Sequence, residues 1–207
     1  MIAARALDPF YPIVPDADWL RRIALLGVRT VQLRVKDMPA DAVRKNIGDA
    51  VAIARAHDIQ LIVNDYWQDG LRAGADFIHL GQEDLATADV GAIKRAGMRI
   101  GISTHDEAER AIALAAEPDY IALGPVFPTT LKVMKWAPQG LERVGAWQSA
   151  LGEVPLVAIG GMTPSRATAT MAAGADSIAV ITDFVTHSDP EQRILEWVAW
   201  SNAQRRT

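Results

Sequence analysis

Short apolar runs alternate with longer amphipathic stretches from one end of this chain to the other. That alternation narrows the fold more than any single motif. Tyr11–Val14, Thr30–Arg34, Gln60–Val63, Phe77–Leu80, Arg99–Ile102, Tyr120–Leu123, Leu156–Ile159 and Ser177–Ile181 read as strands. Between and after them, Asp18–Leu26, Ala40–Ala56, Gln68–Ala73, Asp89–Ala96, Asp106–Ala115, Leu141–Leu151, Pro164–Ala172 and Pro190–Ala203 read as helices. Parallel neighbours need long crossover connections, so strands that alternate with helices throughout indicate a parallel sheet. About eight such units in 207 residues, with no linker or composition break, predict a single domain over 1–207 that closes as a (β/α)8 TIM barrel. An open doubly wound sheet is the rival architecture, and the absence of a G-x-G-x-x-G or Walker A pattern weakens its nucleotide-binding forms.

Local signals support the boundaries. Thr104 with Glu107 makes a capping-box pattern, and Thr163-Pro164 and Asp189-Pro190 each place a cap before a proline at the first helical position. Gly27, Gly74, Gly97 and Gly174 stand where helices should stop. Gly74-Ala75-Asp76-Phe77 is echoed by Gly174-Ala175-Asp176-Ser177, with Pro118-Asp119-Tyr120 as a looser copy, as expected of a fold made from repeated units.

In such a fold the chemistry sits where strands end. On the second strand Gln32, Arg34 and Lys36 alternate with Val31, Leu33 and Val35, so the two sets face opposite ways. The apolar set should pack on helices, leaving the polar set in the barrel or at its mouth, where two cations are costly unless an anion meets them. The third strand ends at Asn64-Asp65 and the fourth runs into Gly81-Gln82-Glu83-Asp84, which brings Asp65 and Asp84 to one rim. Two carboxylates near cations suggest Mg2+ completed by water and substrate phosphate; helix capping and a general-base pair are the rival readings. Ser103 follows the fifth strand, either facing a ligand or preceding a cap. Gly160-Gly161 before the helix at Thr163, together with Ile181-Thr182 after the eighth strand, suits a phosphate. The sixth strand opens into a loop carrying Thr129, Thr130, Leu131 and Lys132. Two anion sites follow: one magnesium-assisted near strands two to four, the other near strands seven and eight.

The remaining residues constrain function mostly by exclusion. Net charge is −4 and the chain has no cysteine, so nucleic acid and anionic membranes are not expected partners, and disulfides and Cys-based metal sites are excluded. No segment is apolar enough to span a bilayer and no signal-peptide pattern appears, which makes a soluble cytoplasmic domain the expectation. Small phosphorylated molecules are the expected partners, and homo-oligomerisation is left open. His57 and His187 read as surface residues, His79 as structural, and His105 as part of a first helical turn near the rim. Trp147, Trp197 and Trp200 read as helix packing, while Trp67 and Trp136 lie near rims where a pocket wall is as plausible as packing.

Several segments, in order, give the chain a resemblance to the thiamine-phosphate synthase family over nearly its full length. They are Gln32–Lys36, Asn64-Asp65, His79–Asp84, Gly101–Ser103, Gly124–Thr129 with Lys132, and Ile159–Gly161. The resemblance implies a (β/α)8 barrel transferase of thiamine biosynthesis that joins a hydroxymethylpyrimidine diphosphate to a thiazole phosphate and releases pyrophosphate. It implies pyrimidine-diphosphate contacts from Gln32, Leu33, Arg34, Val35, Lys36, Asn64, Ser103 and Lys132, with Arg34, Lys36 and Lys132 stabilising the leaving group. Asp65 and Asp84 would be the Mg2+ ligands, and Thr129, Thr130, Leu131, Gly161, Ile181 and Thr182 the thiazole-phosphate contacts. Leu131 departs from the family's usual threonine and removes a hydroxyl, whereas Thr182 in place of serine keeps one. A related thiazole tautomerase, a non-catalytic thiamine-phosphate-binding protein and, on fold analogy, a sugar-phosphate isomerase or epimerase are the alternatives.

Overall fold

The computed structural model describes residues 6–129 and 136–205. Its strands are β1 (Phe10–Val14), β2 (Thr30–Leu33), β3 (Gln60–Asn64), β4 (Phe77–Leu80), β5 (Arg99–Thr104), β6 (Tyr120–Leu123), β7 (Leu156–Ile159) and β8 (Ser177–Val180). Each pairs in parallel with the next, and β8 returns to β1, so the sheet closes in sequence order. The helices are α1 (Ala17–Ile23), α2 (Ala40–Ala56), α3 (Trp67–Ala73), α4 (Gln82–Leu85), α5 (Val90–Arg95), α6 (Glu107–Ala115), α7 (Gly140–Leu151), α8 (Pro164–Ala172), α9 (Thr182–Val185) and α10 (Pro190–Gln204). A 3-10 turn, Ala24–Leu26, extends α1 and stops at left-handed Gly27. No described helix is long and apolar enough to cross a membrane.

The core has two layers, as strand alternation requires. Val31, Leu33, Val35, Ile78, Ile100 and Leu123 lie in the layer between barrel and helices. Tyr11, Ile13, Ile62, Phe77, Tyr120 and Val157 fill the barrel interior. The repeated aspartate before a strand proves to be a structural device. Asp119 Oδ2 accepts from the Ile100 amide and Asp176 Oδ2 from the Leu156 amide, both at 2.8 Å, which ties each strand's start to its neighbour.

Two short helices, α4 and α9, were not expected from the sequence, because four residues are too few to show a period. They take up the residues just past β4 and β8, so Ile181 precedes α9 instead of ending β8. The capping-box reading of Thr104 and Glu107 is also corrected. Asp106 caps α6 by accepting from the Glu109 amide at 2.9 Å, while Thr104 ends β5. Its hydroxyl donates to the Ala122 carbonyl at 3.0 Å and accepts from Trp147 Nε1 at 3.2 Å. A fully buried hydroxyl needs such partners, and tertiary contacts supply them before a cap can. His105 likewise sits just before α6, not within its first turn.

Candidate active site

The C-terminal strand ends surround two adjoining cavities. The larger, about 510 Å³, takes Arg34, Ser103, Thr129, Gly161, Ile181 and Thr182 into its lining. The smaller, about 110 Å³, lies within the barrel and is lined by Gln32, Arg34, Asn64, His79, Ser103 and Tyr120, among others. Arg34 and Ser103 belong to both linings, so they stand where the two spaces meet.

A third cluster forms where β3 and β4 end. Asp65 adopts a left-handed conformation (φ 65°), its amide donates to the His79 carbonyl at 2.9 Å, and the chain turns sharply there. Lys36 Nζ lies 2.5 Å from Asp65 Oδ2. Asp84, at the start of α4, comes within hydrogen-bonding reach of Asp65. Partial burial and then the neighbouring Asp65 carboxylate push the Asp84 carboxyl above its ordinary range, against the opposing pull of Lys36. Lys36 thus neutralises Asp65 directly, and the two carboxylates stand close enough to disfavour each other's charge. No group of three or more His, Asp or Glu able to hold a metal occurs among the described residues. Two carboxylates nonetheless fit magnesium, which keeps waters and takes phosphate oxygens to complete its shell.

The second strand divides as its alternation requires. Gln32 and Arg34 face the cavities, whereas Leu33 and Val35 are buried in the outer layer among helices. Any contact those two make with a substrate is therefore a main-chain contact. Thr130, Leu131 and Lys132 lie outside the described residues.

The paired glycines are explained by crowding. A Cβ at Gly160 would stand 2.7 Å from Pro125 Cα, and one at Gly161 2.4 Å from the Pro128 carbonyl oxygen. The loop after β6 crosses directly over them, bonded by Val126 N–H to the Ile159 carbonyl (2.9 Å) and Phe127 N–H to the Gly160 carbonyl (3.1 Å). Beside that crossing is Arg166, which sequence reading missed although the Thr163-Pro164 cap places it in the first turn of α8. Its guanidinium donates to the Gly161 carbonyl at 2.6 Å, packs 4.9 Å over the Phe127 ring and lines the larger cavity. The β8 side is braced from outside. Arg193 donates to both Asp183 oxygens, at 2.7 and 2.9 Å, and Trp197 Nε1 donates to Asp183 Oδ2 at 2.7 Å.

His105 forms another wall of the larger cavity. It bonds Glu109 through Nδ1 at 2.7 Å and stacks on Trp136 with ring centroids 3.9 Å apart. Trp136 therefore backs a pocket wall, while Trp67 packs on the outer core. Trp147 and Trp197 are fully buried and Trp200 is half-buried.

The barrel interior joins Gln32 and Ser103, both expected to face a ligand, through Tyr11, Tyr120 and His79, of which the sequence reading gave only His79 a role, a structural one. Gln32 Nε2 donates to the Tyr11 hydroxyl at 2.8 Å, which lies 2.8 Å from the Tyr120 hydroxyl. Tyr120 is 2.7 Å from His79 Nδ1, and His79 Nε2 is 2.7 Å from Ser103 Oγ. Burial pushes both phenols above the ordinary tyrosine range and pushes His79 down to about 4. Asp65 opposes the shift at His79 and Arg34 adds to it, but desolvation dominates.

Comparison with known proteins gives the chain a family and a shared fold. Residues 10–184 match a family described as thiamine monophosphate synthase. The chain is 56% identical to a thiamine-phosphate synthase of Rhizobium etli over 193 residues, 93% of this chain and 95% of that protein. It is 44% identical to one from Citrobacter koseri, covering 93% and 92% of the two. Among solved structures, a thiamine phosphate pyrophosphorylase from Pyrococcus furiosus superposes with a TM-score of 0.79 at 27% identity, covering 94% of this chain and 95% of that one. An orotidine 5'-phosphate decarboxylase from Pyrococcus horikoshii, at 15% identity and a TM-score of 0.64 over 93% and 98% of the two chains, shares the fold.

Proposed function

The chain belongs to the thiamine monophosphate synthase family and is a transferase, and on that premise we propose that it joins 4-amino-2-methyl-5-(diphosphooxymethyl)pyrimidine to a thiazole phosphate, with Mg2+ as cofactor. The observation that carries the substrate pair is the shape of the site. Two cavities meet at Arg34 and Ser103, with an acidic cluster beside one and Arg166 beside the other.

The smaller cavity receives the aminopyrimidine among Gln32, Asn64 and Ser103, with its diphosphate directed toward Arg34 and Lys36. The larger cavity receives the thiazole phosphate between Gly161, Ile181, Thr182 and Thr129, with Arg166 as the nearby cation. Thr130, Leu131 and Lys132, outside the described residues, are the further substrate contacts this reading takes from the family resemblance.

Asp65 and Asp84 would hold the metal, which supplies charge neutralisation for the diphosphate when bound. Arg34 and Lys36 add fixed positive charge where the leaving oxygen becomes negative. The carbon–oxygen bond to the methylene breaks, its electron pair leaves with pyrophosphate, and the aminopyrimidine delocalises the resulting cation. The thiazole nitrogen lone pair then closes the new carbon–nitrogen bond. No proton changes place in that exchange, in keeping with a site whose His79 is buried and neutral instead of poised near pH 7. This dissociative course asks the protein mainly for orientation and electrostatics.

The metal assignment is tested by turnover against magnesium concentration for Asp65→Asn and Asp84→Asn, with thermal melting as the folding control. Each variant is expected to melt like the parent and to lose about 100-fold or more in rate, with partial recovery at high magnesium. Parental rates and magnesium dependence in both would leave the aspartates as structural residues and return the tautomerase and binding-protein readings to the front.

A further inference from the structure

We infer that His79, held in one tautomer by a one-way chain of hydrogen bonds through the barrel interior, fixes Ser103 as a hydrogen-bond donor to the substrate. The inference rests on the functional reading above only for the identity of that substrate.

Each link follows from the one before. Gln32 contributes its amide N–H₂ to the Tyr11 hydroxyl, so Tyr11 oxygen is an acceptor there. Tyr11 is fully buried, and its other hydrogen-bond partner is Tyr120. A buried hydroxyl hydrogen left without an acceptor costs about 1–3 kcal/mol, so Tyr11 donates to Tyr120. Tyr120, also fully buried, is approached by the Gln32 amide as a donor, which leaves His79 Nδ1 as the acceptor for its own hydrogen among the described residues. Nδ1 accepts and carries no proton, which places the imidazole hydrogen on Nε2. That hydrogen is donated to Ser103 Oγ. Ser103 lines both cavities, and its own hydrogen is the first in the chain without an acceptor among the described residues. It points toward an acceptor of the ligand: a ring nitrogen lone pair or a phosphate oxygen, not a protonated amine.

The reverse polarity would need the opposite orientation of the Gln32 amide, with Oε1 and not Nε2 toward Tyr11. If Ser103 donated to His79, Nδ1–H would donate to Tyr120, Tyr120 to Tyr11, and the Tyr11 hydrogen would face a Gln32 amide that is itself a donor. Direction is thus set by the orientation of the Gln32 amide. The remaining contact of this segment is consistent: Gln82 Nε2 holds the Ser103 carbonyl at 2.7 Å and keeps the residue's backbone in place. Tyr11, Tyr120 and His79 are positioning residues, whereas Gln32 and Ser103, at the two ends of the chain, are the members placed against the substrate.

The first test needs no substrate. A long-range ¹H–¹⁵N correlation spectrum of the unliganded protein reports which imidazole nitrogen of His79 bears the hydrogen. Nε2–H is expected, and Nδ1–H would overturn the inference while leaving the functional reading untouched. The second test is kinetic. Ser103→Ala and His79→Leu should each lower kcat/KM for the pyrimidine diphosphate about tenfold, the worth of one hydrogen bond, with an unchanged KM for the thiazole phosphate. His79→Gln, whose amide also has a donor end and an acceptor end, should recover much of the loss. An equal rise in thiazole-phosphate KM, or no recovery with glutamine, would reduce His79 to a packing residue. A folded parent protein with Nε2–H but no condensation of the two substrates would overturn the functional reading and not the tautomer.

Discussion

Gly101 shows how one residue without a side chain makes the barrel interior chemical instead of merely packed. Its neighbour across the β5–β6 register is Tyr120, whose ring occupies the space a side chain at Gly101 would need. A Cβ there would fall 2.0 Å from Tyr120 Cζ and 2.5 Å from its hydroxyl oxygen. Its φ lies outside the left-handed region, so the demand is for room and not for backbone freedom. Gly101→Ala is accordingly expected to displace the tyrosine and cost about 1–3 kcal/mol or more, as overpacked cores do. Urea unfolding measures that loss, and unaltered stability would mean the ring moves freely. The sequence displayed Gly101 as part of a motif, but the reason for it became visible only with Tyr120 opposite. Arg166 was hidden for the opposite reason. An arginine in a first helical turn is unremarkable until the Gly161 carbonyl and the Phe127 ring are found beside it.

Among elements, the strands were the most legible part of this chain and the four-residue helices the least. β4, β6 and β7 stand where their apolar runs lie, because a buried parallel strand leaves a continuous hydrophobic signature. Period two on β2 correctly divided Gln32 and Arg34 from Leu33 and Val35. Local capping chemistry was less dependable, since Thr104 was drawn into the sheet by Ala122 and Trp147. α9 illustrates what sequence cannot display. Its four residues hold Thr182 at the cavity only because Asp183 is clamped by Arg193 and Trp197 from α10. Asp183 and Arg193 are both mostly shielded from water, so the pair is worth more than a surface ion pair. Asp183→Asn should destabilise the protein by about 2–3 kcal/mol and raise the KM for thiazole phosphate more than that for the pyrimidine diphosphate. Chemical unfolding together with two-substrate kinetics checks both parts; an equal rise in the two constants would detach α9 from the phosphate side.

At the scale of the whole molecule, the interior hydrogen-bond chain links β1, β2, β4, β5 and β6, so its protonation state bears on the stability of the barrel. His79 falls from 6.5 to about 4 on folding, chiefly through burial. Between those values the unfolded chain binds a proton that the native barrel refuses. Stability is therefore complete above about pH 6.5 and declines as pH falls toward 4, by up to about 3 kcal/mol from this residue. Urea unfolding at pH 7 and pH 4.5 should show a smaller acid loss in His79→Gln than in the parent. Equal losses would mean that carboxylates alone govern the acid limb.

The barrel also brings two cavities and an acidic pair to one face, the arrangement on which the proposed condensation of two phosphorylated molecules rests. The most direct measurement is product analysis with both substrates present, with and without magnesium. The proposed transferase predicts thiamine phosphate and pyrophosphate in equal amounts, formed only when both substrates and the metal are supplied. Rearrangement of the thiazole phosphate alone, or binding of thiamine phosphate without any condensation, would contradict it.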